Sequence, residues 1–270
     1  MLLELLTMDF FRNALYMSLL LSLLFGVISF FVIIRNISFL GAGIAHMAFG
    51  GVALGVLAGI NPFYTSLVFC LLAVFLLFYV QKQGSISYDA GIGIFFSASM
   101  ALGAIFIALS RNYTFDLSGY LFGNILGVEQ ADFIYVLVTA AVLLPFFMIC
   151  FQRVLFLSFE EDVAAVSGIK TTMLSLFVLI FLALVIVVSI KIVGIILVTA
   201  LVVLPGSFGM LISRDYRKVI LSGVLFTVVI MTGGLFLSYL LDLPAGATMV
   251  TLGTVIYFTV LFAVKSAGRS

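Results

Sequence analysis

Charge is what this sequence has least of. Only 9% of its 270 residues are charged and 65% are hydrophobic. A soluble domain carries about 25% charged and about 45–50% apolar residues. A globule of this length still exposes much of its surface and cannot hide such an excess in one core. Soluble enzymes, nucleic-acid modules and disordered chains are therefore excluded, and a bilayer is the natural solvent. The net charge of +1 leaves no basic or acidic tail that would point to nucleic acid. Histidine is nearly absent. The single one, His46, rules out the His-Glu-x-x-His site of a zinc protease. The two cysteines, Cys70 and Cys150, sit inside apolar runs and read as small hydrophobes, not as a disulfide framework or metal knuckle. No Gly-x-x-x-x-Gly-Lys-Ser/Thr loop and no Gly-x-Ser-x-Gly elbow occurs, so the chain has neither a P-loop of its own nor that catalytic constellation.

What is present is apolar length. A spanning helix takes about 20 residues, and nine stretches qualify. They are Asn13–Ile34, Phe39–Leu57, Phe63–Val80, Ala90–Leu109, Phe133–Phe151, Met173–Ile190, Ile192–Ile212, Val219–Leu240 and Gly246–Val264. The first exceeds a signal-peptide core and no small-residue cleavage site follows it, so it is expected to stay as a helix. Between the sixth and seventh, the segment from Ser189 to Gly194 is expected to form a tight turn with Lys191 snorkelling to the surface. The expected fold is all-α: one polytopic transmembrane domain over residues 1–270 with about nine spans.

Basic residues orient it. Arg35, Lys82, Arg153, Lys170, Arg214, Arg217, Lys218, Lys265 and Arg269 share one side, and Arg12, Arg111 and Lys191 the other. The richer side is cytoplasmic, which puts the N-terminus outside and the C-terminus inside. Tyr64, Tyr79, Tyr113, Tyr135, Tyr216 and Tyr239 fall near span ends, as interfacial aromatics do.

Two loops exceed mere connection. The outside segment Phe115–Leu126 is too apolar for a free loop and too short to span, which fits a re-entrant or interfacial half-helix. The cytoplasmic segment Phe159–Gly168 reads as a short amphipathic helix. Ser158 with Glu161 resembles a capping box, and Gly168 suits a C′ position. Phe159, Val163 and Val166 form an apolar stripe, and Glu160, Glu161 and Asp162 crowd the first turn, where the helix dipole favours negative charge.

His46 lies mid-span, where an ionisable group marks a functional site by default. Its face carries Ala42, Gly50 and Ala53, small enough to admit a partner helix or an ion. Imidazole suits transition metals; the alternative is a histidine hydrogen-bonded to a neighbouring helix. Asp89 is either a helix N-cap or a path residue aligned with Gly93, Ser97 and Met100. Gly51 and Gly55 permit close helix approach. Pro205 should kink or end its helix, with a carbonyl lining a path as the sharper alternative. Met47 and Met100 are soft donors or, more simply, core filling.

In order along the chain, the landmarks resemble the permease subunit of bacterial ABC importers for zinc, manganese and related divalent metals. They are Ile37–Gly51 around His46, Asn61–Tyr64, Ser87–Gly93, Tyr120–Asn124, Asp162–Gly168, Val193–Pro205 and Asp242–Gly246. The resemblance implies a metal path through His46, Asp89 and Ser97, with Met47, Gly50, Met100 and Pro205 along it. It implies coupling through Phe159 to Val163, Ala164 and Gly168, and places Asp116 and Asp242 on the outside face. Relatives often have Asp at the position of Ala42, and some have His at that of Ser97, which thins the ligand set. The resemblance further implies no permanently bound cofactor, only a transported zinc, manganese or iron ion. Its partners would be a second permease copy, a cytoplasmic ATPase subunit that does all the hydrolysis, and an extracytoplasmic metal-binding protein, in a bacterial cytoplasmic membrane. The rival reading is a stand-alone secondary transporter or channel.

Overall fold

The computed structural model describes residues 7–84, 87–110 and 117–266. Every regular element among them is helical: α1 (Asp9–Ile34), α2 (Ser38–Ala58), α3 (Pro62–Lys82), α4 (Tyr88–Leu109), α5 (Leu117–Phe122), a 3-10 turn (Ile125–Gly127), α6 (Gln130–Phe159), α7 (Glu161–Val166), α8 (Thr171–Ile212), α9 (Tyr216–Leu241) and α10 (Ala245–Ser266). Eight of these helices are long and apolar enough to cross a membrane. In a bilayer only a helix or a closed barrel satisfies its own backbone.

The punctuation read from sequence has local causes. Asn61 caps α3 by accepting from the Phe63 N–H at 3.0 Å, with Pro62 at the first helical position, where no N–H is missed. Asn36 and Asp242 end α1 and α9 in the left-handed region, at φ 55° and 52°, which short polar side chains tolerate. The turn expected from Ser189 to Gly194 shrinks to one residue. The helix holds through Lys191 and breaks at Gly194 (φ 79°, ψ 160°), a conformation that is essentially glycine's own. The break divides the 42 residues of α8 into segments of 23 and 18 residues on either side of Gly194, each near the ~20 that a crossing takes.

The chain folds as two compact units. The first comprises Met1–Asn36, Ser118–Ala140 and Ser189–Ser270. In it α1 packs on α9 and α9 on α10. Apolar lipid offers no hydrophobic drive for this, so close approach must supply dispersion. A Cβ on Gly206 would come within 2.5 Å of the Ser29 carbonyl oxygen, and one on Gly223 within 2.9 Å of that of Pro205. The buried Ser18 and Ser22 hydroxyls donate to the Ala14 and Ser18 carbonyls at 2.8 and 2.7 Å, so neither hydroxyl is stranded. Gly123 and Gly194, both at positive φ, press backbone to backbone, leaving no room for a side chain.

The second unit comprises Ile37–Leu117 and Ala141–Val188. Here α2 is the hub, packed on both α3 and α4. One glycine seam, Gly51 and Gly55, lies against Pro62, Thr65 and Ser66 of α3; the other, Gly43 and Gly50, lies against Ile92 and Ser99 of α4. The Gly-x-x-x-Gly pair thus does what its spacing suggested.

Candidate functional site

The contacts Gly43 to Ile92, His46 to Phe96 and Gly50 to Ser99 set α2 and α4 side by side and parallel, in a register of 49 to 50 residues. His46 is half-buried in this seam. Its ring meets the edge of Phe96 at a centroid distance of 5.0 Å and an interplanar angle of 88°. The hydrogen-bonded structural alternative finds no support, because among the described residues the imidazole has no hydrogen-bond partner. Its nitrogens keep their donor capacity.

Ser97 follows Phe96 and faces outward, exposed, while Met100 is half-buried one turn on. Gly93 has open space where a Cβ would stand. Asp89 is exposed in the first turn of α4, seven residues and ~10 Å of rise from the level of His46. Its capping role is corrected: the N-cap is Ser87, whose Oγ accepts from the Ala90 N–H at 3.3 Å. Among the described residues no three His, Cys, Asp or Glu side chains gather into a metal-holding group. Asp89, Gly93, Ser97 and Met100 line one face of α4, at whose seam His46 offers the one imidazole.

Two candidates are packed inside the structure. Met47 is fully buried, and a Cβ on Gly43 would lie 3.7 Å from its methyl. Pro205 does not end its helix, which runs on to Ile212; Pro205 is buried and its carbonyl abuts Gly223. Asp242 is exposed and closes α9. There the Leu243 N–H donates to the Ser238 carbonyl at 3.0 Å. Asp116 lies outside the described residues.

The loop Phe159–Gly168 differs from the sequence reading at its start. α6 continues to Phe159, eight residues past the expected span, and the Ser158 hydroxyl donates to the Val154 carbonyl at 2.6 Å inside that helix. No capping box forms: α7 begins after Glu160 without a side-chain cap. Phe159 ends α6, so the apolar stripe spans two helices. At the other end the reading holds. Gly168 has φ 82°; its N–H donates to the Ala165 carbonyl and that of Ile169 to the Ala164 carbonyl, both at 3.1 Å, a Schellman pair. Ala164 is buried, whereas Phe159, Val163 and Val166 are 66%, 50% and 91% exposed. Glu160, Glu161 and Asp162 are exposed too.

Sequence reading missed an ion cluster. The Lys191 ammonium donates to Asp132 Oδ1 at 3.0 Å and Glu129 Oε2 at 3.1 Å, so it is paired and does not merely snorkel. Asp132, 5% exposed, also accepts from the Glu129 N–H at 3.0 Å, the return half of a capping box. That spacing of three was visible; the partner 59 residues away was not. Burial pushes the nearby Tyr120 phenol up, so it stays neutral. Replacing Lys191 by Met strands a buried carboxylate and should cost roughly 2–4 kcal/mol, read as a lowered unfolding temperature in detergent. Asp132→Asn, which keeps an acceptor for the cap, should cost less.

A family model described as the ABC 3 transport family matches residues 7–264. The manganese transport system membrane protein MntC of Listeria monocytogenes is 34% identical over 95% of this chain and 92% of its own. The high-affinity zinc uptake system membrane protein ZnuB of Buchnera aphidicola is 30% identical over 88% of this chain and 92% of its own. A solved structure of PsaBC from Streptococcus pneumoniae in complex with Fab superposes with a TM-score of 0.85 at 30% identity, covering 96% of this chain and 95% of that one. With the helical architecture and the His46 motif already in hand, these matches establish that the chain belongs to the ABC 3 transport family.

Proposed function

We propose that this chain is the membrane permease subunit of an ABC importer that brings manganese or zinc into the bacterial cytoplasm. The observation that carries the reading is a family match over nearly the whole chain that includes the half-buried His46. The permease forms the path, and ATP hydrolysis belongs to a separate subunit. A second permease copy and an extracytoplasmic metal-binding protein complete the machine.

The chain, residues 1–270, works as one domain that crosses the membrane nine times. α8 supplies two crossings, bent at Gly194. α5 and the 3-10 turn form the outside half-helix, supported by the tight seating of Gly123. α7 is the coupling helix, supported by its exposed Phe159, Val163 and Val166. Metal passes His46 and the open face of α4 carrying Asp89, Ser97 and Met100. Oxygen donors from water, backbone or the second copy complete its shell, because the described residues bring no metal-holding cluster. Asp116 and Asp242 face the binding protein.

The stand-alone transporter is the weaker reading. Coupling to protons needs titratable carboxylates within the spans. Among the described residues the buried carboxylate is Asp132, which is tied to Lys191.

Two experiments test the reading. Expressed with its partner subunits in a cell lacking its own metal importers, the complex should restore uptake of manganese, zinc or both. Uptake of neither would overturn the assignment. For orientation, single cysteines at Gln130 and Lys218, in a Cys70→Ala, Cys150→Ser background, should differ in intact cells. An impermeant thiol reagent should label only the Gln130 site; labelling at Lys218 would reverse the layout.

A further inference from the structure

The second unit holds an open crevice of about 510 Å³ between the end of α6 and the start of α8. Its rim is basic and its wall apolar. Arg153 and Lys170 stand at the rim, and Phe146, Met173, Leu174 and Phe177 line the wall. From each rim cation to the matching phenylalanine is seven residues, from Arg153 back to Phe146 and from Lys170 on to Phe177. Both helices thus carry the apolar wall ~10 Å inward from the charges. The Phe146 and Phe177 rings, 5.9 Å apart, close the inner end. No acidic side chain lines the crevice, and among the described residues neither cation has an ion-pair partner. α8 begins at Thr171, so its positive dipole end lies at the same rim.

We propose that this crevice binds an anionic phospholipid, its phosphate held by Arg153 and Lys170 and an acyl chain laid against Phe146, Met173 and Phe177. Basic pockets between membrane helices on the cytoplasmic side select such headgroups. A zwitterionic lipid offers the same phosphate but brings its own cation beside the two at the rim, so it adds no net negative charge there, and a free phosphate would leave the apolar wall unused. Ser167, Gly168 and Ile169 of the coupling loop also line the crevice, but the ATPase is the poorer occupant of its wall, because the exposed apolar residues offered to it, Phe159, Val163 and Val166, are not among the lining. The assignment rests on the proposed orientation only for the leaflet; the binding itself does not.

Cys150 lies in the crevice wall and is half-buried, whereas Cys70 is fully buried. The native protein therefore carries its own reporter. Full-length permease in neutral detergent should be titrated with phosphatidylglycerol or phosphatidylcholine, and maleimide modification of Cys150 timed. Phosphatidylglycerol should protect at a mole fraction well below that of phosphatidylcholine. Each rim cation removed should weaken protection about fivefold, and Arg153→Gln with Lys170→Gln about 25-fold. Arg153→Lys with Lys170→Arg should retain it, as should Arg217→Gln with Lys218→Gln, which removes charge elsewhere. Native mass spectrometry of the unmutated protein should show a retained phosphatidylglycerol adduct, a readout independent of the variants' folding. Equal protection by both lipids, unaltered protection in the double Gln variant, or protection by inorganic phosphate alone would overturn the proposal. None of these readouts needs metal or ATP, so their failure would leave the importer assignment standing.

Discussion

Replacing His46 with Ala should abolish metal uptake while leaving the permease assembled with its ATPase. The side chain is half-buried in the α2–α4 seam, its one ring contact is the edge of Phe96, and among the described residues no hydrogen bond engages it. Removing it therefore breaks no polar network, and its small neighbours Ala42 and Gly50 already tolerate space. Partners that merely orient a metal ligand are worth 10–100-fold in affinity. Loss of the path's one imidazole should cost roughly 100-fold or more in uptake. His46→Leu refills the volume without the donor and should be equally inactive. Asp89→Asn separates charge from structure, because Ser87 caps α4 whatever stands at Asp89; a loss of uptake there would report the charge alone. The check is metal accumulation beside co-purification of the ATPase subunit. Normal transport by His46→Ala would make the residue structural.

The second large effect is expected at Gly168. A Cβ there meets nothing within 4 Å, so Gly168→Val creates no clash. Its cost comes from φ 82°, which a β-branched residue strongly resists. The Schellman end should open and α7 should turn relative to α8. The spans, whose glycine seams lie elsewhere, should stay folded. The assembled complex should then hydrolyse ATP without stimulation by metal-loaded binding protein, and uptake should fall in step. Gly168→Ala, with a smaller barrier to positive φ, should be milder. Val163→Asp should uncouple in the same way, through the exposed stripe instead of the backbone. Unchanged stimulation in both Gly168→Val and Val163→Asp would mean that this loop is not the linkage.

Apolar length and punctuation made most of the helices legible, because a bilayer forces each span to satisfy its own backbone. Helix extents were less so. α6 outruns its expected span, since Val154 and Leu157 beyond it are buried, and this displaced the expected cap at Ser158. The break in α8 was legible as a region but not as a residue; what singles out Gly194 is its fit against Gly123, 71 positions earlier. The His46 face was readable from spacing alone. Its partner, Phe96, was not, because register between helices is set by paired small residues that no single helix displays. The Lys191 cluster and the Arg153–Lys170 crevice were hidden for the same reason. Each is made by charges far apart in sequence, and a charge at a span end looks the same whether it faces water, a carboxylate or a lipid.

The most direct test is reconstitution. Permease, ATPase subunit and metal-binding protein in sealed liposomes, with the binding protein outside and ATP within, should accumulate manganese or zinc only while ATP is hydrolysed. Replacing His46 with Ala should reduce accumulation to that of empty vesicles. Accumulation that proceeds without ATP, or that persists at full rate in His46→Ala, would contradict an ATP-driven path through α2 and α4.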